Sequence, residues 1–302
     1  MKNKIIIVGG TGFLGFHLAK YYLKNNWQVL SISRKNPKKI RYLKNVNYLF
    51  VDIGDKKKLF TILKKHSNTD CIVNFSGEVD HSNSKKVFKS HYLGLKNLAE
   101  FFVNKPLKKF VQIGSSLEYG KKTSPQRENF KANPKSNYSK AKFLSTNFLI
   151  KLYKTKKLPV IILRPYQVYG PHQDINRLIP IVIQNCLKNK KFPCSNGLQY
   201  RDFLYVEDFT KFIIKALETK KKFNGQIFNV GYGKAHKVKN VINTIKKFIK
   251  KGFPEFGKIK LRNEENIVTY PNIEKARKLI GWKPKINFNN GIKKTIKYYK
   301  NN

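Results

Sequence analysis

Short apolar runs alternate with segments of helical spacing through the first half of the chain. The apolar runs predict buried strands at residues 4–8, 28–33, 48–51, 71–75, 110–113 and 160–163. Between them, residues 13–25 and 93–104 place their apolar side chains on one face of a helix. Strands that alternate with helices are typical of parallel sheets with right-handed crossovers. The pattern therefore predicts an α/β protein with a doubly wound parallel sheet.

The pattern becomes irregular after about residue 170, where prolines interrupt the apolar periodicity. Residues 226–230 predict one more buried strand, which would return to the sheet. We therefore expect a first domain of residues 1–170, completed by this return strand, and a small C-terminal lobe formed mainly by residues 171–302. The sequence contains no internal repeat and no long linker between these parts.

The charge of the 302-residue chain is strongly positive, with 63 Lys and Arg against 17 Asp and Glu and a formal net charge of +46. Only eight of the 63 are arginine, and the lysines are spread along the whole sequence. Specific nucleic-acid sites rely on arginine forks and on aromatic stacking. We therefore expect a solvated lysine surface, with salt-sensitive attraction to polyanions and no specific nucleic-acid partner.

Signals for membrane insertion, secretion and metal binding are missing from the sequence. The apolar run that begins at Ile5 is shorter than a signal-peptide core, and no apolar stretch reaches the roughly 18 residues of a membrane span. The three cysteines, Cys71, Cys186 and Cys194, have no metal-ligand spacing and are odd in number. We expect reduced cysteines, no metal, no membrane association and a cytoplasmic location.

A glycine-rich turn follows the first predicted strand directly. Residues 9–15 have the sequence GGTGFLG and lead into the first predicted helix. Such a turn needs glycine where the backbone approaches a pyrophosphate, and the helix N-terminus attracts that anion. This context predicts a Rossmann-type dinucleotide site. The residues expected to contact the cofactor here are Gly9, Thr11, Gly12, Phe13, Leu14 and Gly15.

The end of the second predicted strand bears on the choice of cofactor. An acidic residue there usually binds the ribose of NAD, but the first 51 residues contain no Asp or Glu. Ser33 could instead bond a 2′-phosphate, which Arg34 and Lys35 could neutralise. We therefore expect NADP(H) to be favoured, with NAD as the alternative. Three residues after the third and fourth strands should complete the cofactor site: Asp52, which would bind the adenine amino group, Ile53 and Ser76.

A second group of candidate residues surrounds the fifth predicted strand. Tyr138 and Lys142 lie four residues apart, on one face of a helix, and Ser115 ends the strand before them. A lysine ammonium lowers the pKa of a nearby phenol towards the range of an acid–base catalyst, and a serine hydroxyl can hold the reacting oxygen. The same spacing recurs at Tyr92 and Tyr153, which we interpret as exposed helix positions. We expect Ser115, Tyr138 and Lys142 to be catalytic, with Tyr138 and Lys142 also contacting the cofactor.

With these motifs, the sequence resembles the extended short-chain dehydrogenase/reductase family, which contains nucleotide-sugar epimerases, dehydratases and reductases. Further matching segments are SSLEYG at 115–120, RPYQVYGP at 164–171, GLQYRDF at 197–203 and LIGWKP at 279–284. The resemblance extends nearly from end to end. It implies an NAD(P)-dependent enzyme whose C-terminal lobe binds a nucleotide sugar, and a homodimer formed through helices of the cofactor domain.

The resemblance also implies residues on the substrate side. Arg201 matches the arginine that binds the nucleotide diphosphate, and a buried pair with Asp202 or Asp208 is its structural alternative. Arg262 is a second candidate for a phosphate contact. Gln167 stands where the family commonly has Asn, so we expect it to contact the sugar.

Departures from the family pattern narrow the reaction. The 4,6-dehydratases of the family carry an acid pair directly after the catalytic hydroxyl, and the matching positions here are Ser116 and Leu117. Glu118 is one residue out of register, so a dehydratase is disfavoured. Ser116 is expected to contact the substrate. His91 stands where the family usually has Asn near the cofactor, and we interpret it as structural.

Three functions remain open. A reductase would deliver a hydride from NADPH to C4 of a nucleotide-linked 4-keto (6-deoxy) hexose, and the residues at 33–35 favour it. A 4-epimerase would oxidise C4 and reduce it on the other face with tightly held NAD. A Rossmann-fold binding protein without catalysis is the third, and the intact set of Ser115, Tyr138 and Lys142 argues against it.

Overall fold

The chain divides into two units, which are described here from a computed structural model. It describes residues 2–78, 80–219, 223–260 and 266–302. The first unit comprises Met1–Gly120, Glu128–Pro165 and Phe212–Phe228, and the second comprises Lys121–Arg127, Tyr166–Lys211 and Asn229–Asn302. Because these segments alternate along the sequence, neither unit is one continuous stretch of chain.

The strands and helices are numbered in chain order. The strands are β1 (Lys4–Val8), β2 (Gln28–Ser33), β3 (Asn47–Phe50), β4 (Cys71–Asn74), β5 (Lys109–Ile113), β6 (Val160–Pro165), β7 (Gln167–Tyr169), β8 (Lys191–Pro193), β9 (Tyr200–Tyr205), β10 (Gln226–Val230), β11 (Ala235–Lys237), β12 (Phe253–Glu255) and β13 (Val268–Thr269). The helices are α1 (Phe13–Lys24), α2 (Lys56–Lys64), α3 (Ser84–Phe88), α4 (Gly94–Phe102), α5 (Asn137–Lys156), α6 (Leu178–Leu187), α7 (Val206–Glu218), α8 (Val238–Ile249) and α9 (Phe288–Lys300).

A central sheet of seven strands has the order β10–β6–β5–β4–β1–β2–β3, and neighbouring strands from β6 to β3 pair in parallel. Successive strand residues point to opposite faces, yet Ile5, Ile6 and Ile7 of β1 are all fully buried, so both faces of the sheet are covered. This confirms the predicted α/β, Rossmann-type, doubly wound fold. The strand order reverses at β1, and ligands of such sheets bind beyond the carboxyl ends of the strands at that point.

Most predicted elements end within two residues of the observed ones, and two of the differences have a structural reason. The predicted strand at 48–51 is β3, and Val51 lies beyond it, although its N–H still bonds the Ser33 carbonyl at 3.0 Å. The predicted helix at 93–104 is α4, which is preceded by a π-helical turn at Lys89–Leu93. A π-turn adds a residue to the helical repeat, so the apolar periodicity of α4 does not continue through it.

The second unit contains a smaller mixed sheet. Strand β9 lies between antiparallel β11 and parallel β13, and it also pairs in parallel with β7. Helices α6, α8 and α9 contribute apolar side chains to the core of this unit, among them Val182, Ile242 and Ile292. Across the described ranges, no helix combines the length and the apolar character that crossing a membrane requires.

Candidate functional site

The turn between β1 and α1 has the geometry that a pyrophosphate requires. Gly9 has a φ of +79°, which favours glycine, and its carbonyl accepts a 3.0 Å hydrogen bond from the Gly12 N–H. A Cβ on Gly15 would collide with the Gly9 carbonyl, so glycine there lets α1 lie directly against the turn. Helix α1 begins at Phe13 after Gly12, which has no side chain to cap it. Its first N–H groups are therefore available to an anion.

A cleft of about 260 Å³ lies beside this turn, at the carboxyl ends of β1 to β4. Most of the predicted cofactor residues line it: Gly9, Thr11, Gly12, Ser33, Arg34, Asp52, Ile53 and Ser76. The other predicted residues of the turn, Phe13, Leu14 and Gly15, lie in the first turn of α1. The structure thus brings together residues from four separate loops of the sequence.

The polar groups around the cleft fit a dinucleotide. The Ser33 hydroxyl is buried and has no hydrogen-bond partner within the described residues, so it can serve a ribose or phosphate oxygen. Asp52 accepts a 2.8 Å bond from the Gly54 N–H, and its second oxygen lies 3.3 Å from Lys89 Nζ. These contacts hold the Asp52 carboxylate beyond the end of β3. The glycine turn would thus hold the phosphates, and Ser33 and Asp52 are two polar groups for the nucleoside.

Arg34 is paired with a carboxylate, which sequence reasoning did not predict. Both terminal guanidinium nitrogens of Arg34 donate to Glu78 Oε2 at 3.2 Å. The Arg34 side chain is 50% exposed and that of Glu78 is 18% exposed. The Glu78 N–H donates to Ser90 Oγ at 2.9 Å, which fixes the backbone beyond β4. The charge expected to neutralise a 2′-phosphate therefore has an acidic partner within the protein.

Ser115 lies two residues beyond the end of β5 and is the N-cap of a short 3₁₀ turn at Ser116–Tyr119. Its hydroxyl accepts a 3.2 Å hydrogen bond from the Leu117 N–H, and only 6% of the residue is exposed. The turn therefore holds the Ser115 oxygen at the carboxyl end of the sheet. Ser116, predicted to contact the substrate, is the first residue of the same turn.

The Glu118 side chain points into the protein and holds this turn in place from its buried side. One carboxylate oxygen accepts the Ser115 N–H at 2.8 Å. The other accepts the Thr146 hydroxyl at 2.9 Å and Arg164 Nη2 at 2.7 Å. Glu118 is fully buried and the Arg164 side chain is 3% exposed. The acidic residue nearest to the dehydratase positions thus has a structural role in this unit.

Tyr138 and Lys142 lie in the first two turns of α5, whose N-cap is Ser136. Lys142 Nζ is 5.9 Å from the Tyr138 ring centroid and donates a 2.7 Å hydrogen bond to the Ile113 carbonyl at the end of β5. Burial lowers the pKa of Lys142 to about 8, so the ammonium stays largely charged at neutral pH. Lys142 therefore connects Tyr138 to the end of β5, two residues before Ser115.

Two histidines contact the Tyr138 ring. His81 stacks on it with a centroid distance of 4.0 Å and an interplanar angle of 15°, and His91 meets it edge-on at 5.0 Å. Burial, and then the charge of Lys142, lower the pKa of His91 to about 2, so His91 is neutral. Its Nε2 lies 3.1 Å from the Glu78 carbonyl and must carry the proton to bond it. Sequence reasoning interpreted His91 as structural and did not identify His81.

The spacing of Tyr138 and Lys142 is not enough to identify the site. Tyr92 also precedes a lysine by four residues, but its ring packs on Phe88 and Phe148, and Lys96 lies 3.8 Å from Glu100. Tyr92 is therefore half-buried, and so is Tyr153, which packs against the core, so the exposed positions predicted for both are wrong. The contact of Lys142 with the end of β5 distinguishes the Tyr138 position.

The predicted substrate residues of the second unit lie on two paired strands. Gln167 begins β7, where it pairs with Phe203 of β9, and Arg201 lies two residues earlier on β9. Arg201 Nη1 donates to the carbonyls of Tyr200 at 2.8 Å and Ile267 at 3.3 Å. The neighbouring Asp202 accepts three successive backbone N–H groups, from residues 232 to 234, at 2.6 to 3.1 Å. Burial raises the pKa of Asp202 to about 7 despite these bonds.

Two further predictions concern Arg262 and the absence of a metal site. Arg262, a candidate phosphate contact, lies outside the described residues. Within the described ranges, no group of three His, Cys, Asp or Glu side chains is arranged to hold a metal ion.

Comparisons with known proteins agree with this arrangement. The model of the NAD dependent epimerase/dehydratase family matches residues 5–231. A putative UDP-glucose 4-epimerase of Methanocaldococcus jannaschii is 32% identical over 99% of each chain. Two solved structures also align along nearly the whole chain. The UDP-glucuronic acid 4-epimerase of Bacillus cereus, in complex with UDP-glucuronic acid and NAD, is 25% identical, with a TM-score of 0.90 and 99% of each chain covered.

The second is dTDP-glucose 4,6-dehydratase of Bacillus anthracis, in complex with NAD. It is 26% identical, with a TM-score of 0.87, and the alignment covers 99% of this chain and 97% of that one. The family match covers more than half of the 302 residues and includes the glycine turn, Ser115, Tyr138 and Lys142. The chain therefore belongs to the NAD-dependent epimerase/dehydratase family.

Proposed function

We propose that the chain is a 4-epimerase of a nucleotide-linked hexose that uses NAD. The observation that carries this proposal is the contact of Lys142 with the end of β5. Its Nζ lies 2.7 Å from the Ile113 carbonyl, two residues before Ser115, and one helical turn from Tyr138. We infer that the Ser115 hydroxyl and the Tyr138 phenol meet one reacting oxygen, with the Lys142 ammonium beside the phenol.

Tyr138 is the group that moves the proton. The Lys142 ammonium has three N–H donors, and one of them is used by Ile113, so two remain for other groups. Its positive charge stabilises the phenolate form of Tyr138, which can take the proton of the sugar C4 hydroxyl and return it. Ser115 Oγ holds the same sugar oxygen while its charge changes. NAD, when bound, supplies the acceptor and later the donor of the C4 hydride.

A dehydratase has weaker support from this chain. Elimination needs an acid and a base beside the hydroxyl of residue 115, and the next two residues are Ser116 and Leu117. Glu118 cannot supply either group, because its carboxylate is fully buried and bonded to Arg164 and Thr146. A putative 4-epimerase and a 4,6-dehydratase both align over nearly the whole chain. The residues at positions 116 to 118 therefore carry more weight than overall similarity.

The second unit would hold the rest of the substrate. We propose that Arg201 binds the nucleotide diphosphate, that Gln167 bonds the sugar, and that Arg262 adds a phosphate contact. The paired strands β7 and β9 support the first two assignments, because they carry Gln167 and Arg201 close together in register. An arginine fork suits a diphosphate better than the lysines that dominate the surface of this chain.

A reductase that consumes NADPH is the second candidate, and the residues Ser33, Arg34 and Lys35 at the end of β2 favour it. A panel of UDP- and dTDP-linked hexoses, their 4-keto forms included, tests both functions when each is incubated with NAD or NADPH. The epimerase predicts a 4-epimer at equilibrium with no net change in the cofactor. The reductase predicts one NADPH oxidised for each sugar reduced. A protein that binds cofactor but changes none of these sugars would contradict both.

A further inference from the structure

The pair between Arg34 and Glu78 joins two sides of the cofactor cleft. Arg34 follows β2 and Glu78 follows β4, and β1 with its glycine turn lies between these strands in the sheet. Both Arg34 nitrogens converge on one oxygen of Glu78, at 3.2 Å. The pair therefore lies where the cofactor is expected to cross from one side of the sheet to the other.

Carboxylates are scarce in this chain, so their positions around the cleft are informative. The sequence has 17 Asp and Glu for 63 Lys and Arg, yet two ion pairs each include one residue that lines the cleft, Arg34 in one and Asp52 in the other. Arg34 pairs with Glu78, and Lys89 lies 3.3 Å from Asp52. The pairs reduce the positive potential at the nucleoside end of the cleft, where a 2′-phosphate would add about two negative charges.

A 2′-phosphate at the end of β2 would compete with Glu78 for the same guanidinium. It would need Arg34 to leave its partner, and it would also meet the negative charge of Glu78 at short range. The 2′-hydroxyl of NAD makes neither demand, and the buried Ser33 hydroxyl remains as its partner. Arg34, which the sequence presents as a feature of NADP enzymes, is therefore compatible with NAD in this setting.

We propose that Glu78 is a specificity-determining residue, which favours NAD over NADP because its carboxylate holds Arg34 and repels a 2′-phosphate. The proposal rests on the proposed function in requiring that the cleft binds a nicotinamide dinucleotide, and it gives a reason for the use of NAD. It assigns the choice of cofactor to a residue beyond β4, whereas in dinucleotide folds the usual determinant lies at the end of β2.

The test is a titration of the purified full chain with NADH and with NADPH, followed by the fluorescence of the bound reduced nicotinamide. The wild type should bind NADH more tightly. Glu78→Gln should move the ratio of the two dissociation constants towards NADPH by about two- to tenfold, the scale of one exposed charge pair. Adding Arg34→Ala to Glu78→Gln should remove the part of this gain that comes from the freed guanidinium, and only the smaller part that comes from the lost repulsion should remain.

Asp80→Asn is the matched control, because it also removes one negative charge from the same loop. Its carboxylate accepts the Ser82 N–H at 3.0 Å, and we expect an unchanged ratio. A ratio that is equal in Glu78→Gln and the wild type would overturn the inference alone. A wild type that prefers NADPH would overturn the inference and would also favour the reductase over the proposed epimerase. Binding of neither cofactor by the wild type would overturn the proposed function and the inference with it.

Discussion

Glu118 and Glu78 each pair with an arginine of the first unit, but they do so in different surroundings. Glu118 is fully buried against Arg164, and its oxygens also accept the Ser115 N–H and the Thr146 hydroxyl. Glu78 is 18% exposed, and its partner Arg34 is 50% exposed. We call the residues Ser115, Glu118, Lys142 and Arg164 the floor of the site. We call Arg34, Glu78 and His81 its rim.

The difference indicates a division of tasks. A buried ion pair cannot lose one partner without a large cost, because the remaining charge stays desolvated. The floor is therefore suited to hold Ser115 and Lys142 in fixed positions for the chemistry. An exposed pair contributes little to stability and can exchange its partner for a ligand. The rim is therefore suited to choose between ligands. Tyr138 contacts both regions, through Lys142 and through His81.

The largest expected effect is on turnover, at the residue that both regions contact. Tyr138→Phe keeps the ring and its packing on His81 and His91 but removes the transferable proton. Steady-state kcat, measured with the sugar identified in the panel, should fall by about 10²- to 10⁴-fold. Cofactor affinity should be nearly unchanged. Tyr92→Phe, the matched control with the same spacing to a lysine, should stay within a few-fold of the wild type.

The next largest effect should be on the free energy of unfolding, which should depend on Glu118 much more than on Glu78. Glu118→Gln leaves Arg164 buried without a counter-charge, so the free energy of unfolding should fall by about 3–5 kcal/mol. Glu78→Gln breaks an exposed pair and should lower it by less than about 1 kcal/mol. Urea unfolding followed by circular dichroism measures both. Equal losses in the two variants would contradict the distinction between floor and rim.

A smaller effect should appear in the pH dependence of kcat/KM. Burial lowers the pKa of Lys142 to about 8, so the ammonium is present below that pH and is lost above it. Without the ammonium the Tyr138 phenolate loses its stabilising charge, and kcat/KM should decline above about pH 8, by at most about tenfold per unit. Lys142→Arg keeps its charge at high pH, so any activity that it retains should not show this decline. A wild-type profile that stays level to pH 10 would contradict the role of Lys142.

The smallest expected effect concerns the rim residue that touches Tyr138. His81 contributes one exposed stacked ring at 4.0 Å, and such a contact is worth about 0.5–1.5 kcal/mol. His81→Ala should therefore lower kcat by about two- to tenfold. His81→Phe restores a ring and should recover most of the loss. A loss as severe in His81→Phe as in His81→Ala would mean that the imidazole does more than pack on Tyr138.

The fold was predictable because its signals are local. Strand β1 combines an apolar run with a glycine turn, and the spacing of Tyr138 and Lys142 places both on one face of α5. The inward direction of the Glu118 side chain also had a local signal, since Ser115 and Glu118 have the spacing of a helix capping box. Sequence reasoning treated Glu118 only as an acid out of register and missed that signal.

The rim could not be predicted in the same way. Arg34 and Glu78 are separated by 44 residues, and they meet because β2 and β4 both flank β1 in the sheet. That adjacency is a property of the strand order, which the apolar pattern alone does not specify. His81 lies in the loop after β4, where no periodicity predicts the direction of a side chain. The expected preference for NADP(H) was inferred from residues 33–35 alone and did not include the pairing of Arg34 with Glu78.

The most direct test of the central claim follows the hydrogen at C4 of the sugar. UDP-glucose, UDP-glucuronate and dTDP-glucose, each deuterated at C4, are incubated with the NAD-loaded protein and examined by NMR. If Tyr138, Ser115 and Lys142 support epimerisation, one of these sugars should yield its 4-epimer with the deuterium still on C4 and no net reduction of NAD. An epimer that has exchanged its C4 deuterium for solvent hydrogen, or no change at C4 of any of the three, would contradict the claim.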